Sequence, residues 1–151
     1  MLNKLLIIED NKYKLTKISN FIREFSETIE IVEAYSYTSG WQKIVEGTFD
    51  LIVLDMSLPT FDIGETQSGG NFRTFGGKEI VRRMDRGNKL TNFLIITQYE
   101  TFNDVTGTRS LASMDKELEE LYRENFKGII HLDSSSNNWK VKLNNILENS
   151  Q

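Results

Sequence analysis

Short apolar runs that alternate strictly with helix-period segments predict an α/β fold built on a parallel sheet. Three observations carry this. The runs at residues 5–8, 51–54 and 93–96 are continuously apolar, as in strands covered by helices on both faces. Two further β-type runs, 29–34 and 128–132, bring the count to five. Each is followed by an apolar stripe at three- and four-residue spacing. The expected architecture is a three-layer sandwich on five parallel strands in order 2-1-3-4-5, because right-handed crossovers leave few alternatives.

The stripes define the helices in turn. Leu15, Ile18, Ile22 and Phe25 mark the first, and Trp41, Ile44 and Val45 the second. Thr38-Ser39 reads as the N-cap of that second helix and Gly47 as its stop. Ile80, Val81 and Met84 serve the third, and Leu111, Met114, Leu118, Leu121 and Tyr122 the fourth. Trp139, Leu143, Ile146 and Leu147 serve the last, with the Ser134-Ser135-Ser136 run as its cap. Aromatics and methionines at helical spacing are core packing.

Two connections are long: 60–76, with four glycines and Phe61, Phe72 and Phe75, and 98–110. Connections in α/β units usually run about 2–6 residues, and longer ones tend to carry function. Both leave the carboxyl end of a strand, so they are expected to flank whatever site lies there. The 151 residues suit one domain, 1–151, with these two enlarged loops.

Composition narrows the classes. Without cysteine there is no disulfide, thiolate metal site or cysteine nucleophile. Net charge is −4, and the one basic cluster, Arg82, Arg83, Arg86 and Lys89, is interleaved with Glu79 and Asp85. That is a solvated helix face, so no nucleic-acid partner is expected. No signal-peptide pattern or membrane-length apolar run is visible, which makes a cytoplasmic protein without membrane contact the expectation.

Ligands of open parallel sheets bind outside the carboxyl ends of the strands, where strand order reverses. Here the first strand ends in Glu9-Asp10 and the third in Asp55, and these two strands should be neighbours. Three carboxylates converging there repel one another unless a cation sits among them, and a small all-oxygen set suits Mg²⁺. A strand-end carboxylate beside Mg²⁺ can attack phosphorus. Thr97, after the fourth strand, offers a hydroxyl to the phosphoryl group. Taken singly, each acid reads equally as a cap; Asp10, followed by Asn11, could open the first helix.

"LLIIEDN", "FDLIVLDMSLP" and "LIITQ" together resemble the response-regulator receiver (CheY-like) domains of two-component signalling. The resemblance implies a flavodoxin-like (βα)5 fold and covers nearly the whole chain outside the long loops. It implies Asp55 as phospho-acceptor, with Glu9, Asp10, Asp55 and the Ser57 backbone carbonyl holding Mg²⁺. Thr97 matches the switch hydroxyl, and Gly77 the glycine before the third helix. It implies a sensor histidine kinase or phosphotransfer protein as partner, and no enzymatic residues beyond the receiver's own phosphorylation and dephosphorylation. A downstream protein docking on loops 60–76 and 98–110 is a further expectation.

Three departures qualify this. Leu132 stands where receivers carry a lysine at the end of strand five, with Asp133 next. Lys127 precedes that strand, at the opposite edge, so a replacement cation would have to be Lys12, Lys78 or Arg109 reaching in from a loop. Ile129 matches the aromatic switch position, and Gln98 and Tyr99 replace the small residue after the hydroxyl. The rival reading is a pseudo-receiver, an interaction module independent of phosphorylation. A haloacid-dehalogenase-type phosphatase would want a second acid where Ser57 stands. A flavin binder would not place acids after strand one. His131, the only histidine, falls within a predicted strand and reads as structural.

Overall fold

A computed structural model describes residues 1–64, 68–105, 107–133 and 135–151, with only the backbone of Asp104. In chain order the elements are β1 (Lys4–Ile8), α1 (Lys12–Phe25), β2 (Glu30–Ala34), α2 (Tyr37–Glu46), β3 (Leu51–Leu54), β4 (Leu58–Pro59) and β5 (Phe72–Arg73). Then follow α3 (Gly76–Arg86), β6 (Phe93–Thr97), β7 (Thr101–Asp104), β8 (Gly107–Ser110), α4 (Leu111–Leu121), β9 (Phe126–His131) and α5 (Asn138–Asn149).

Five strands form the parallel sheet, in order β2-β1-β3-β6-β9. Counting sheet strands alone, this is the expected 2-1-3-4-5. The four other strands correct the expectation of five: β4 pairs with β5 and β7 with β8 as antiparallel ribbons inside the two long connections. Strands of two and four residues with sequences such as TFND and GTRS carry no apolar alternation, so no periodicity betrays them.

Alternation along the strands splits the core into two layers. Leu5, Ile7, Leu51, Val53, Leu94 and Ile96 pack against Leu15, Ile18 and Ile22 of α1 and Trp139, Leu143 and Leu147 of α5. Leu6, Ile8, Ile52, Leu54, Phe93 and Ile95 face Ile44 of α2, Ile80, Val81 and Met84 of α3, and Met114 and Leu118 of α4. Fully burying such a side chain contributes about 1.5–3 kcal/mol, so the two layers dominate the stability.

Local chemistry moves several boundaries. Ser36, rather than Thr38-Ser39, caps α2, and Ser39 closes a reciprocal capping box with it. The cap of α5 is Asn137, without a side-chain bond; Ser136 Oγ accepts the Asn138 N–H, while Ser134 lies outside the described residues. β9 begins at Phe126, so Lys127 lies inside the strand, still at its amino end. A register shift there sets three residues of β9 against two of β6, with Gly128 at φ 134°, a bulge that a Cβ would oppose.

Candidate functional site

The sheet's backbone ladder carries the acidic residues into place. The Glu9 N–H donates to Ala34 O on β2, and the Asp55 N–H donates to Ile8 O on β1. Ile8 and Leu54 are register partners, so the residues that follow them emerge side by side. Glu9, Asp10 and Asp55 each present a carboxylate oxygen within 4.8 Å of the others. Glu9 and Asp55 are buried, and Asp10 is half-buried. The close approach of α3 completes the wall: a Cβ on Gly77 would lie 2.3 Å from Asp55 O, and the Gly77 N–H donates to Met56 O. Only glycine fits there.

A residue absent from the expected set occupies the centre. Lys14, on the first turn of α1, is 3% exposed. Its Nζ lies 2.5 Å from Glu9 Oε1 and 3.2 Å from Asp55 Oδ2, and it donates to Ile96 O at 3.0 Å. Lys12, Lys78 and Arg109 do not take this place. Lys12 is exposed, and Lys78 and Arg109 both pair with Glu117. One signal could have found Lys14: it precedes Ile18 and Ile22 at four-residue spacing, a lysine on the buried stripe of its helix.

Burial, followed by the Asp55 charge, pushes the Glu9 carboxyl up to about 8, against the opposing pull of Lys14. Burial likewise raises Asp55, again opposed by Lys14. Three carboxylates against one ammonium leave a formal charge of two minus when all are ionised. Asp55 Oδ1 is buried and has no hydrogen-bond partner among the described residues. An all-oxygen donor set, that residual charge and an orphaned oxygen fit a divalent Mg²⁺ ion.

The remaining expected residues take varied positions near the carboxyl ends of the strands. Thr97 is fully buried at the end of β6, its Oγ1 accepting the Tyr99 N–H at 3.2 Å. Ser57 is buried, and its hydroxyl donates to Thr74 O, leaving the side chain engaged away from the acids. Gln98 and Tyr99 are exposed rather than packed into the site. Leu132 is buried in the layer of α1 and α5. Asp133 is exposed, and its carboxylate accepts from the Ser135 N–H and hydroxyl. His131 is half-buried and meets Gln98 O through Nε2, a structural contact.

The first long connection borders the acidic edge. Asp62 accepts from the Ser36 and Ser39 hydroxyls at 2.6 and 2.7 Å, tying the first to α2. Asp10, Lys12, Tyr35, Asp62 and Ile63 line a cleft of about 570 Å³. In the second, Phe102 is buried and its ring meets Phe75 and Tyr99. Of the three phenylalanines singled out in 60–76, Phe75 packs inward while Phe61 and Phe72 stay exposed. Residues 65–67 and 106 of these connections lie outside the described set.

No protein-family model matches the chain. The response regulatory protein DtcB of the Detocs system in Enterobacter cloacae is 29% identical over 142 residues, 93% of this chain and 95% of that one. The uncharacterized protein y4jR of Sinorhizobium fredii is 30% identical over 145 residues, covering 94% and 95%. Among solved structures, a CheY-like receiver domain protein from Methanospirillum hungatei superposes with a TM-score of 0.64 at 18% identity, covering 99% of this chain and 94% of that one. The response regulator TrrA of Thermotoga maritima, in complex with Mg²⁺ and BeF, gives 0.56 at 14%, covering 96% and 99%. The chain thus shares its fold with response-regulator receiver domains, and along nearly its whole length it is similar in sequence to y4jR and to a response regulatory protein.

Proposed function

We propose that the protein is a phospho-accepting receiver in which Asp55 takes a phosphoryl group in the presence of Mg²⁺. The observation that carries this reading is the Asp55 carboxylate itself. It is 6% exposed at the end of β3, its Oδ1 unpartnered, among acidic oxygens that lie within 4.8 Å of one another. Glu9, Asp10, Asp55 and the Ser57 carbonyl would hold the metal, which supplies charge screening for the incoming phosphoryl group. Asp55 supplies the nucleophile, and Thr97, at the end of β6, would offer its hydroxyl to the phosphoryl group. The donor would be a histidine kinase or phosphotransfer protein in the cytoplasm, and no separate enzymatic activity is proposed.

Incubation with Mg²⁺ and acetyl phosphate, followed by intact-mass measurement, tests acceptance. The wild-type chain should gain one phosphoryl group and Asp55→Asn none. A gain that persists in Asp55→Asn would rule out the assignment.

The output is a weak switch. A ligand shifts an equilibrium only by its differential interaction with the two states. Ile129 packs as an ordinary core residue, leaving no aromatic ring to rotate at that position. Beryllofluoride should therefore shift amide resonances near Asp55 and Thr97 but few on α4 and β9. The exposed Phe61, Ile63 and Phe72 around the first long connection support a downstream protein docking there. Replacing 60–76 by a short link and measuring phosphorylation and partner binding separates docking from decoration.

The pseudo-receiver reading has one observation in its favour. Lys14 already pairs with two of the three acids, which lowers the demand for a metal. Absence of any mass gain in the wild-type chain would select it.

A further inference from the structure

The sheet of this receiver offers no lysine at the end of β9, yet a buried ammonium stands beside the acceptor. We infer that Lys14, reaching from the first turn of α1, is the positioning residue that pairs with the phosphoryl group on Asp55, a part moved from the sheet to a helix. The inference rests on the phospho-acceptor reading above.

The geometry supports it in three ways. Helical side chains lean toward the amino end of their helix, so a lysine one turn inside α1 extends back over the strand ends. Lys14 does so from a firm base: Asn11 caps α1, and its Oδ1 accepts the Lys14 N–H at 3.1 Å. Second, the ammonium lies within ion-pair distance of Glu9 and Asp55 and donates a hydrogen bond to Ile96 O. The Ile96 carbonyl belongs to the strand that carries Thr97, so the ammonium bridges acceptor strand and hydroxyl strand. Third, Leu132 packs in the same layer as Leu15, Ile18 and Trp139. The apolar residue on the sheet and the cation on the helix thus exchange places within one layer.

In the step that Lys14 serves, an Asp55 carboxylate oxygen forms a bond to the phosphorus of an acyl phosphate. The donor's phosphorus–oxygen bond breaks, and its electron pair leaves with the donor carboxylate. Lys14 exchanges its contact with Asp55 Oδ2 for a phosphoryl oxygen while keeping Ile96 O. A purely structural peg would be served as well by an apolar side chain, because buried ion pairs seldom add net stability.

Three variants test this: Lys14→Met, Lys14→Arg, and Lys14→Met combined with Leu132→Lys. Acceptance from acetyl phosphate is followed by intact mass, and Mg²⁺ binding is titrated separately with the metal alone. Lys14→Met should slow acceptance at least about tenfold, the loss expected for one charge-stabilising donor. Its Mg²⁺ affinity should hold or rise, since a competing cation is gone. Lys14→Arg should keep most of the rate, and Leu132→Lys should restore it to the Lys14→Met chain from the position receivers ordinarily use. Acceptance as fast or faster in Lys14→Met, with tighter Mg²⁺, overturns the inference and makes Lys14 a plug in the cation's place. Slow acceptance with lost Mg²⁺ binding and no rescue overturns it in favour of a fold-holding contact. No mass gain in the wild-type chain removes the phospho-acceptor reading itself, and the role of Lys14 with it.

Discussion

Two ionic clusters in this molecule have opposite imbalances. On the side of α3 and α4, Lys78 and Arg109 share Glu117, two cations on one carboxylate, with Glu117 29% and Arg109 30% exposed. At the carboxyl edge, Lys14 serves Glu9 and Asp55, with Asp10 beside them, and the pairing carboxylates are nearly inaccessible. Water screens the first cluster, so its excess charge costs little and the contact only staples β8 and α3 to α4. The second has no such relief. Burial first, and the neighbouring carboxylates after it, raise Glu9 and Asp55 against the pull of Lys14, and among the described residues one Asp55 oxygen has no hydrogen-bond partner. Ion pairs alone do not mark a site; a buried surplus of one sign does, because it is a standing demand for something of the other sign.

The strongest way to break the comparison is to move the backbone of Asp55. In Gly77→Ala the new Cβ would meet Asp55 O at 2.3 Å, so β3 or α3 must give way. Destabilisation of about 3 kcal/mol is expected in urea unfolding, the upper end for overpacking, together with loss of phosphoryl acceptance. Gly64→Ala, where a Cβ meets nothing within 4 Å, is the control and should change neither. Equal stability in the two variants would show that the close approach of α3 is not what holds Asp55.

A pH series sharpens the contrast. Glu9 holds its proton up to about 8 in the folded chain, against an ordinary value of 4.5 when unfolded. Between those values the unfolded chain binds fewer protons than the folded one, so stability falls as pH rises across that window. In chelator, Glu9→Gln should flatten this decline, an effect on the order of a few kcal/mol across the window. Mg²⁺ should flatten it too, by favouring the ionised form. Thermal melts of both chains across the window check this; parallel profiles would mean that Glu9 is ionised in the folded chain without metal.

The smallest effect belongs to the outer cluster. Glu117→Gln should cost about 0.5–1 kcal/mol, less at high salt, and loosen amide-exchange protection in 101–110. Phosphoryl acceptance should not change. A drop in acceptance would mean that the ribbon of β7 and β8 supports the acidic edge more closely than its contacts suggest.

Much of this was legible from the chain alone. Continuous apolar runs and helical stripes identify the sheet order, and acids at three strand ends meet wherever β1 and β3 are neighbours. The ribbons were not legible, because two-residue strands such as Leu58–Pro59 have no period to detect. The cap of α2 was misplaced by two residues, since Ser36, Thr38 and Ser39 are all capping types and only the backbone decides among them. Leu132 is legible as a missing lysine, whereas the buried ammonium of Lys14 is seen only in the structure.

The sequence by itself determined the layers, the strand order and which acids end which strands, because those follow from periodicity, from the handedness of crossovers and from which residue ends which strand. Lys14 required the tertiary structure. Its spacing from Ile18 and Ile22 puts its stem on the apolar stripe of α1, but on that helix alone the ammonium is free to snorkel to water. Its burial depends on Ile96 O, 82 residues away, and on two carboxylates from different strands. An ammonium leaves water only where several fixed oxygens replace its hydration, and no local pattern records where such oxygens converge.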